Sequence, residues 1–294
     1  MFFSRAHQRF FYQMLSWFSL VRGFNILVLI LAQYFTARYI MGFDRGGWSV
    51  ILFDVDLHCL VVATALVASA GYIINNFYDA EKDRINRPQK YLLEHLNSQH
   101  SQLTLYLLLN MFAIVVASAI SFRAVLFFTA YIFLIWLYSN TVKRLFWLSN
   151  LVAAALMIYP FLGLTLFFNN FTPEVFIHAS YLLLLLLIRD LIKDLQNLKG
   201  DWVQRYQTLP IVFSVKLSKG VVSLLVVSTL IPIQLLLSRP LGLMRYYFLF
   251  SILYLAVFLL YFWKAADQKA YLRAHNAIKI LIFLGVLSIY FIHK

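Results

Sequence analysis

Apolar residues in this chain arrive in long, nearly unbroken runs, such as 181–188 and 221–237, separated by short polar segments. A helix needs about 20 apolar residues to cross a bilayer. Nine stretches approach that length, at approximately 16–37, 56–79, 102–121, 124–141, 149–168, 174–193, 210–236, 246–263 and 276–292. Backbone polar groups in lipid must be satisfied within their own segment, so all nine are expected to be helices. No Pro- or Ser-rich linker divides the chain. The expectation is therefore an all-α polytopic membrane protein, with about nine transmembrane helices bundled around a central cavity in one domain over 16–294. Residues 1–15 mix Arg5 and Arg9 with Phe2, Phe3, Phe10, Phe11 and Tyr12. That is the pattern of a short helix lying on the membrane surface rather than of a cleaved leader.

Composition narrows the class. The chain is 62% hydrophobic and only 13% charged, too few charges to cover a soluble surface. The single cysteine, Cys59, excludes an intrachain disulfide and a cysteine metal cluster, and the seven histidines are scattered. A net charge of +13 would suggest nucleic acid in a soluble protein. In a membrane protein it reads instead as cationic loops facing anionic lipid, so no nucleic-acid partner is expected. Sixteen Lys and Arg gather on one side, from Arg5 and Arg9 through the loops after the second, fourth, sixth and eighth spans, against six on the other. That bias places the N-terminus and those loops in the cytoplasm of an inner or plasma membrane, with the C-terminus outside.

Two polar constellations stand at the ends of spans on this cationic side. The first runs Asn75-Asn76-Phe-Tyr-Asp79-Ala-Glu81-Lys-Asp83-Arg84-Ile-Asn86-Arg87-Pro88. Asn75, Asp79 and Asp83 are four apart, so at about 100° per residue they share an arc of about 80° on one helix face. The second runs Arg189-Asp190-Leu-Ile-Lys193-Asp194-Leu-Gln-Asn197-Leu-Lys-Gly200-Asp201. Asp190, Asp194, Asn197 and Asp201 share an arc of about 60° on the same arithmetic. The plainer alternatives are a solvated helix end for the first, and for the second an ion pair of Asp190 or Asp194 with Arg189 or Lys193. Against them, five of only twelve acidic residues fall on these two faces, and ionisable groups near membrane depth are usually functional or paired.

Two acidic faces meeting across a cavity would hold Mg²⁺, which is typically bound by one or two carboxylates plus substrate phosphates. Lys193, Lys143, Arg84 and Arg87 are the candidates to grip those phosphates. Metal ions acting as Lewis acids, with positioned cations, would make a diphosphate a good leaving group. An apolar cavity would take a long hydrocarbon tail, and aromatic faces would stabilise an allylic cation.

The pattern N-x-x-x-D-x-x-x-D after one span, with a second Asp-rich segment ending in Gly200-Asp201 four spans later, resembles the UbiA superfamily of intramembrane prenyltransferases. The likeness covers roughly residues 16–292. It includes Arg22 and Asn25 in the first span, Tyr138-Ser139 with Lys143 and Arg144 after the fourth, and Thr208-Leu-Pro210 after the second motif. The stretch 75–88, with Lys193-Asp194 and Gly200-Asp201, is most similar to digeranylgeranylglyceryl phosphate synthase-like members. The resemblance implies Mg²⁺-dependent transfer of a geranylgeranyl or similar group from a prenyl diphosphate donor to a lipophilic, glycerophosphate-type hydroxyl acceptor.

It further implies Asn75, Asp79 and Asp83 at one metal and Asp190, Asp194 and Asp201 at the other. Asp79, Asp83, Asp194 and Lys193 then carry the chemistry, and Arg22, Asn25, Arg84, Arg87, Tyr138, Lys143 and Asn197 contact substrate. The chain departs from the family pattern at four places. Asn76 and Asn197 stand where Asp is common, Arg205 replaces a frequent Gly, and 89–97 replaces a proline-rich stretch ending in glycine. An aromatic acceptor, as in quinone or haem biosynthesis, is the first alternative; a transporter or non-catalytic lipid-binding protein is the second. Pro160 and Pro232 are expected to kink helices, and Asp54 and Asp56 to be merely interfacial.

Overall fold

The computed structural model describes residues 5–41, 47–146 and 148–292. Among these, fifteen α-helices follow one another: α1 (Arg5–Leu20), α2 (Gly23–Phe35), α3 (Gly47–Phe53), α4 (Val55–Asn86), α5 (Pro88–Glu94), α6 (Gln99–Ile120), α7 (Phe122–Asn140), α8 (Leu148–Phe168), α9 (Pro173–Gln196), α10 (Leu198–Val203), α11 (Leu209–Val212), α12 (Val215–Ser228), α13 (Leu230–Leu237), α14 (Arg245–Lys264) and α15 (Gln268–Ser288). Nine segments among the described residues are long and apolar enough to cross a membrane. The ends of the N-terminal surface segment (1–4) and of the chain (293–294) lie outside the described residues.

The chain forms two compact units. One comprises Met1–Ile30 with Val55–Thr141, the other Leu31–Asp54 with Val142–Lys294. In the first, α4 packs along α6 and α7, and α5 rests on α1 and α4. In the second, α9 is the hub, touching α8, α12, α13 and α15. These two hubs bury 50% of their apolar windows, the largest share of any span, and each carries one of the acidic constellations at its C-terminal end. The hub α4 has 32 residues, about 48 Å at 1.5 Å per residue, against a hydrocarbon core of about 30 Å. It is therefore longer than a straight crossing of the hydrocarbon requires.

Several span edges differ from the hydropathy reading. The first span begins at Gly23 and ends at Ile40, because α1 stops at Leu20 and the chain turns at Arg22 with φ 50°. Arg22 thus sits in a turn and not inside the span. A Cβ at Gly23 would come within 2.1 Å of the Phe18 ring, so any larger residue there would have to displace that ring. The last span starts at Gln268, since Asp267 caps it by accepting from the Ala270 N–H at 2.8 Å. The seventh starts at Val215, capped by Ser214. It breaks between α12 and α13 at Thr229, three residues before Pro232, whose ring cannot follow a regular preceding turn. By contrast, α8 runs through Pro160 without interruption.

The core of the second unit is built on Leu185, Ile188, Ile192, Ile233, Leu236, Phe248, Phe262 and Leu281, all nearly inaccessible. Lys219 closes it at one end, donating to the carbonyls of Trp263 (3.0 Å) and Ala265 (2.6 Å) beyond the last turn of α14. A cation there satisfies orphan carbonyls and complements the helix dipole. An apolar cavity of about 300 Å³ lies in the same unit, against Thr36, Phe161, His178, Tyr181, Tyr247 and Gly285 among others. It touches α9 near its N-terminal half, away from the acidic end.

Candidate active site

In the first unit the site grows from the last turns of α4. Asn75 and Asp79 are half-buried, whereas Asn76, Asp83 and Asn86 are buried. The Nδ2 of Asn76 is buried and has no hydrogen-bond partner. Arg84 is exposed, about 100° round the helix from Asp83, so of the two arginines expected to face phosphate it is Arg87 that is half-buried. The Arg87 N–H bonds to the Asp83 carbonyl at 2.8 Å, closing α4 as Pro88 opens α5. Burial pushes the Arg87 guanidinium below its ordinary pKa, opposed by Asp83 and reinforced by Arg22. Lys90 is lowered in the same way, first by burial and then by Arg22. Lys90 Nζ lies 3.2 Å from Glu94 Oε1 and 3.8 Å from Asp83 Oδ2.

Arg22 and Asn25 are tied to this end of α4 through Tyr72. The Arg22 guanidinium lies over the Tyr72 ring, 4.7 Å from its centroid, and Asn25 Nδ2 donates to Tyr72 Oη at 3.4 Å. Sequence reasoning missed Tyr72 although the signal was present. Three residues before Asn75, it falls at about 60° on the helical wheel, inside the arc shared by Asn75, Asp79 and Asp83. Tyr138 is half-buried near the end of α7.

In the second unit the acids do not lie on one continuous helix. Backbone geometry changes at Asn197, the C-cap of α9, and Asp201 belongs to the short α10. Register nevertheless carries across, because Asp201 N donates to Asn197 O at 3.1 Å. Asp190, Asp194, Asn197 and Asp201 are all buried. The amide of Asn150, at the start of α8, joins two of them: Nδ2 donates to Asp190 Oδ2 and to Asp194 Oδ2, each at 2.9 Å. One amide nitrogen carries two hydrogens, so it can serve both carboxylates at once. Sequence analysis did not find Asn150, whose only signal is a polar residue opening an apolar span.

The ion-pair alternative is met in part. Lys193 Nζ stands 4.0 Å from Asp190 Oδ1, while Arg189 Nη2 reaches Met157 Sδ at 2.7 Å. Lys143 is buried in the turn before α8. Arg205 takes φ 54° just beyond the end of α10. That left-handed position costs a non-glycine residue about 1–2 kcal/mol, which explains why a glycine is the natural choice there.

Among the described residues no group of three or more His, Cys, Asp or Glu side chains is arranged to hold a metal by itself. The donors are carboxylates and amide oxygens, one or two acids at a time. That set suits a hard cation which takes its remaining ligands from substrate and water, as Mg²⁺ does.

The model of the UbiA prenyltransferase family matches residues 14–287. The chain belongs to that family. As a member it is a multi-pass membrane protein and an enzyme, a prenyltransferase. Similar curated proteins include the digeranylgeranylglyceryl phosphate synthase of Thermococcus sibiricus, 30% identical, with 76% of this chain and 80% of that protein covered. The enzyme of the same name from Saccharolobus solfataricus is 28% identical over 84% of this chain and 83% of its own length. Among solved structures, one concerned with digeranylgeranylglyceryl phosphate synthase in membranes superposes with a TM-score of 0.65 at 20% identity, covering 94% of this chain and 97% of that one. A UbiA homolog from Archaeoglobus fulgidus bound to GPP and Mg²⁺ gives 0.67 at 13% identity, covering 94% and 99%. At those identities the two structures establish the shared fold.

Proposed function

We propose that this UbiA-family enzyme transfers a prenyl group, geranylgeranyl or similar, from a polyprenyl diphosphate to a hydroxyl of a glycerophosphate-type lipid acceptor, with Mg²⁺ as cofactor. The observation that carries the reading is the pair of buried carboxylates, Asp190 and Asp194, held side by side by Asn150 at the end of an apolar helix. Burying two acids without a cation is costly, and a chain of this family supplies a reason to keep them. The names of the curated relatives support the acceptor class, and the ligands of the Archaeoglobus homolog support the donor and the metal.

On this reading Asn75, Asp79 and Asp83 hold one Mg²⁺, and Asp190, Asp194 and Asp201 the other. Mg²⁺ supplies the Lewis acidity that neutralises the departing diphosphate. Asn150 keeps Asp190 and Asp194 in one orientation without discharging either. Lys193 and Lys143 bind diphosphate oxygens, Arg22 and Arg87 bind phosphate at the end of α4, Asn25 and Tyr72 fix the turn that presents Arg22, and Tyr138 and Asn197 contact substrate. The surplus of Lys and Arg on one side supports a cytoplasmic N-terminus and cytoplasmic helix ends, with the C-terminus outside.

The test is pyrophosphate release by the purified chain, offered C10 to C20 and longer donors with glycerophosphate or aromatic acceptors, with and without Mg²⁺. Metal-dependent release with a glycerophosphate lipid is expected. Turnover of aromatic acceptors alone, or full turnover by Asp79→Ala, would overturn the reading.

A further inference from the structure

The segment 89–97 departs from the family's usual sequence, and the structure gives it a definite role in the first unit. Helix α5 folds back so that Glu94, buried to 1% exposure, accepts from Ser19 Oγ at 2.9 Å and faces Lys90 Nζ at 3.2 Å, both through Oε1. Asn97 Nδ2 donates to Ser16 Oγ at 2.8 Å, and Gln102 Nε2 donates to the Glu94 carbonyl at 3.0 Å. The segment is thereby pinned to α1 and α6 at several points. That anchorage fixes Glu94, which holds Lys90 Nζ at 3.2 Å while the lysine side chain remains 27% exposed. Arg22, fixed over Tyr72, and Arg87 lie within electrostatic reach of Lys90 and of each other.

Three cations therefore converge near Asp79, Asp83 and Glu94. Before a metal binds, Asp79, Asp83 and Glu94 offset these three cations. Once Asp79 and Asp83 are committed to a divalent cation, Glu94 alone opposes Arg22, Arg87 and Lys90, leaving an excess of two positive charges. A phosphate monoester at neutral pH carries about −1.5 to −2, which matches that excess. We infer that Arg22, Arg87 and Lys90 form a binding site for the phosphate of a phosphomonoester acceptor, with Ser19 and Glu94 as positioning residues for Lys90.

This inference rests on the glycerophosphate reading above and adds where the phosphate is read. Arginine and lysine divide the work as their chemistry suggests: the planar guanidinium groups offer paired donors, and the ammonium acts as a point charge. The same chemistry could serve the donor's diphosphate, so the experiment separates the two sources.

Steady-state kinetics of the full chain in lipid nanodiscs would be measured for wild type, Lys90→Gln, Lys90→Arg and Glu94→Gln. Donor and acceptor are varied independently, and the acceptor is supplied both as the phosphomonoester and as its dephosphorylated alcohol. Lys90→Gln is expected to raise the KM of the phosphorylated acceptor about tenfold, the loss of roughly one charge-assisted contact. The donor KM should rise less than the acceptor KM, and turnover of the alcohol should fall less than that of the phosphomonoester. Lys90→Arg should restore most of the acceptor KM, and Glu94→Gln should shift it in the same direction as Lys90→Gln but less. A rise in donor KM with the acceptor KM unchanged, or an equal loss for phosphorylated and dephosphorylated acceptors, would overturn the inference.

Direct titration with glycerol phosphate keeps the test independent of turnover. Wild type should bind it about tenfold more tightly than Lys90→Gln, and equal binding by the two overturns the site. If glycerol phosphate binds as expected but only aromatic acceptors are prenylated, the proposed reaction fails and the phosphate site stands.

Discussion

At the end of α4, Asp83 lies 3.8 Å from Lys90, with Arg87 and Arg22 close enough to act on the same charges. At the end of α9, Asp190 and Asp194 instead share the neutral amide of Asn150 at 2.9 Å each, and Lys193 Nζ stands 4.0 Å from Asp190. Similar spacings of carboxylates along two hub helices are thus stabilised in two ways. At the first, cations offset the acids and remain partly solvated, so the balance can change when a metal or a phosphate arrives. At the second, an amide orients the carboxylates while leaving their charge intact, in a buried setting. An amide donor cannot compete for phosphate, whereas the cations at the first end can. On the proposed reading, amide-held metal ligands belong to the second unit and recognition of the acceptor's phosphate to the first.

The strongest challenge to that division is removal of one acid from each end. Asp79→Ala and Asp194→Ala are each expected to lower kcat by about 10² to 10³ or more, the scale of losing electrostatic stabilisation of a departing charge. They should differ in stability. Asp194→Ala strands a buried N–H of Asn150, worth about 1–3 kcal/mol, whereas Asp79 is half-buried and costs less. Thermal unfolding of both variants, read beside activity, checks this; equal destabilisation would count against the contrast.

Next comes Asn150→Leu, which deletes two hydrogen bonds to carboxylates, each worth about 1.5–3 kcal/mol. Orienting partners of metal ligands typically contribute 10–100-fold in metal affinity. The Mg²⁺ concentration for half-maximal activity should therefore rise by about that factor. An unchanged Mg²⁺ dependence would remove Asn150 from the site.

A smaller effect is predicted from salt. A double-mutant cycle on Lys90 and Asp83 should give at most about 1 kcal/mol, since both groups keep some exposure, and should weaken as salt is raised. The cycle on Asn150 and Asp190 should be larger and nearly insensitive to salt. The least effect is expected for Tyr72→Phe, which loses only a 3.4 Å hydrogen bond and keeps the ring under Arg22. Tyr72→Leu should cost more, by about 0.5–2 kcal/mol for the lost cation–π contact, read as a rise in acceptor KM.

Much of the molecule was legible before any coordinates. Hydropathy places nine spans because lipid imposes a length and an apolar composition on any helix that crosses it. The positions of Asp79, Asp83, Asp190 and Asp194 on helix faces followed from a period of 3.6, and Tyr72 was readable by the same arithmetic. Edges were less legible where caps rule over hydropathy, as Asp267 and Ser214 do, and where a backbone turn intervenes, as at Arg22. Arg84 and Arg87 look equivalent in sequence, yet Arg84, in the last turn of α4, is exposed and Arg87, at the junction with α5, is half-buried.

By itself the sequence determined the lipid-spanning helices, the family membership carried by their motifs, and which acids stand at helix ends. These depend on local periodicity and on the solvent a segment can tolerate, both properties of a short stretch of chain. Only the tertiary structure decided that Asn150, forty residues from Asp190, would bridge two carboxylates, and that Ser19 would bond Glu94, seventy-five residues away. Such pairings join residues far apart along the chain, and no periodicity within either segment encodes the distance between them.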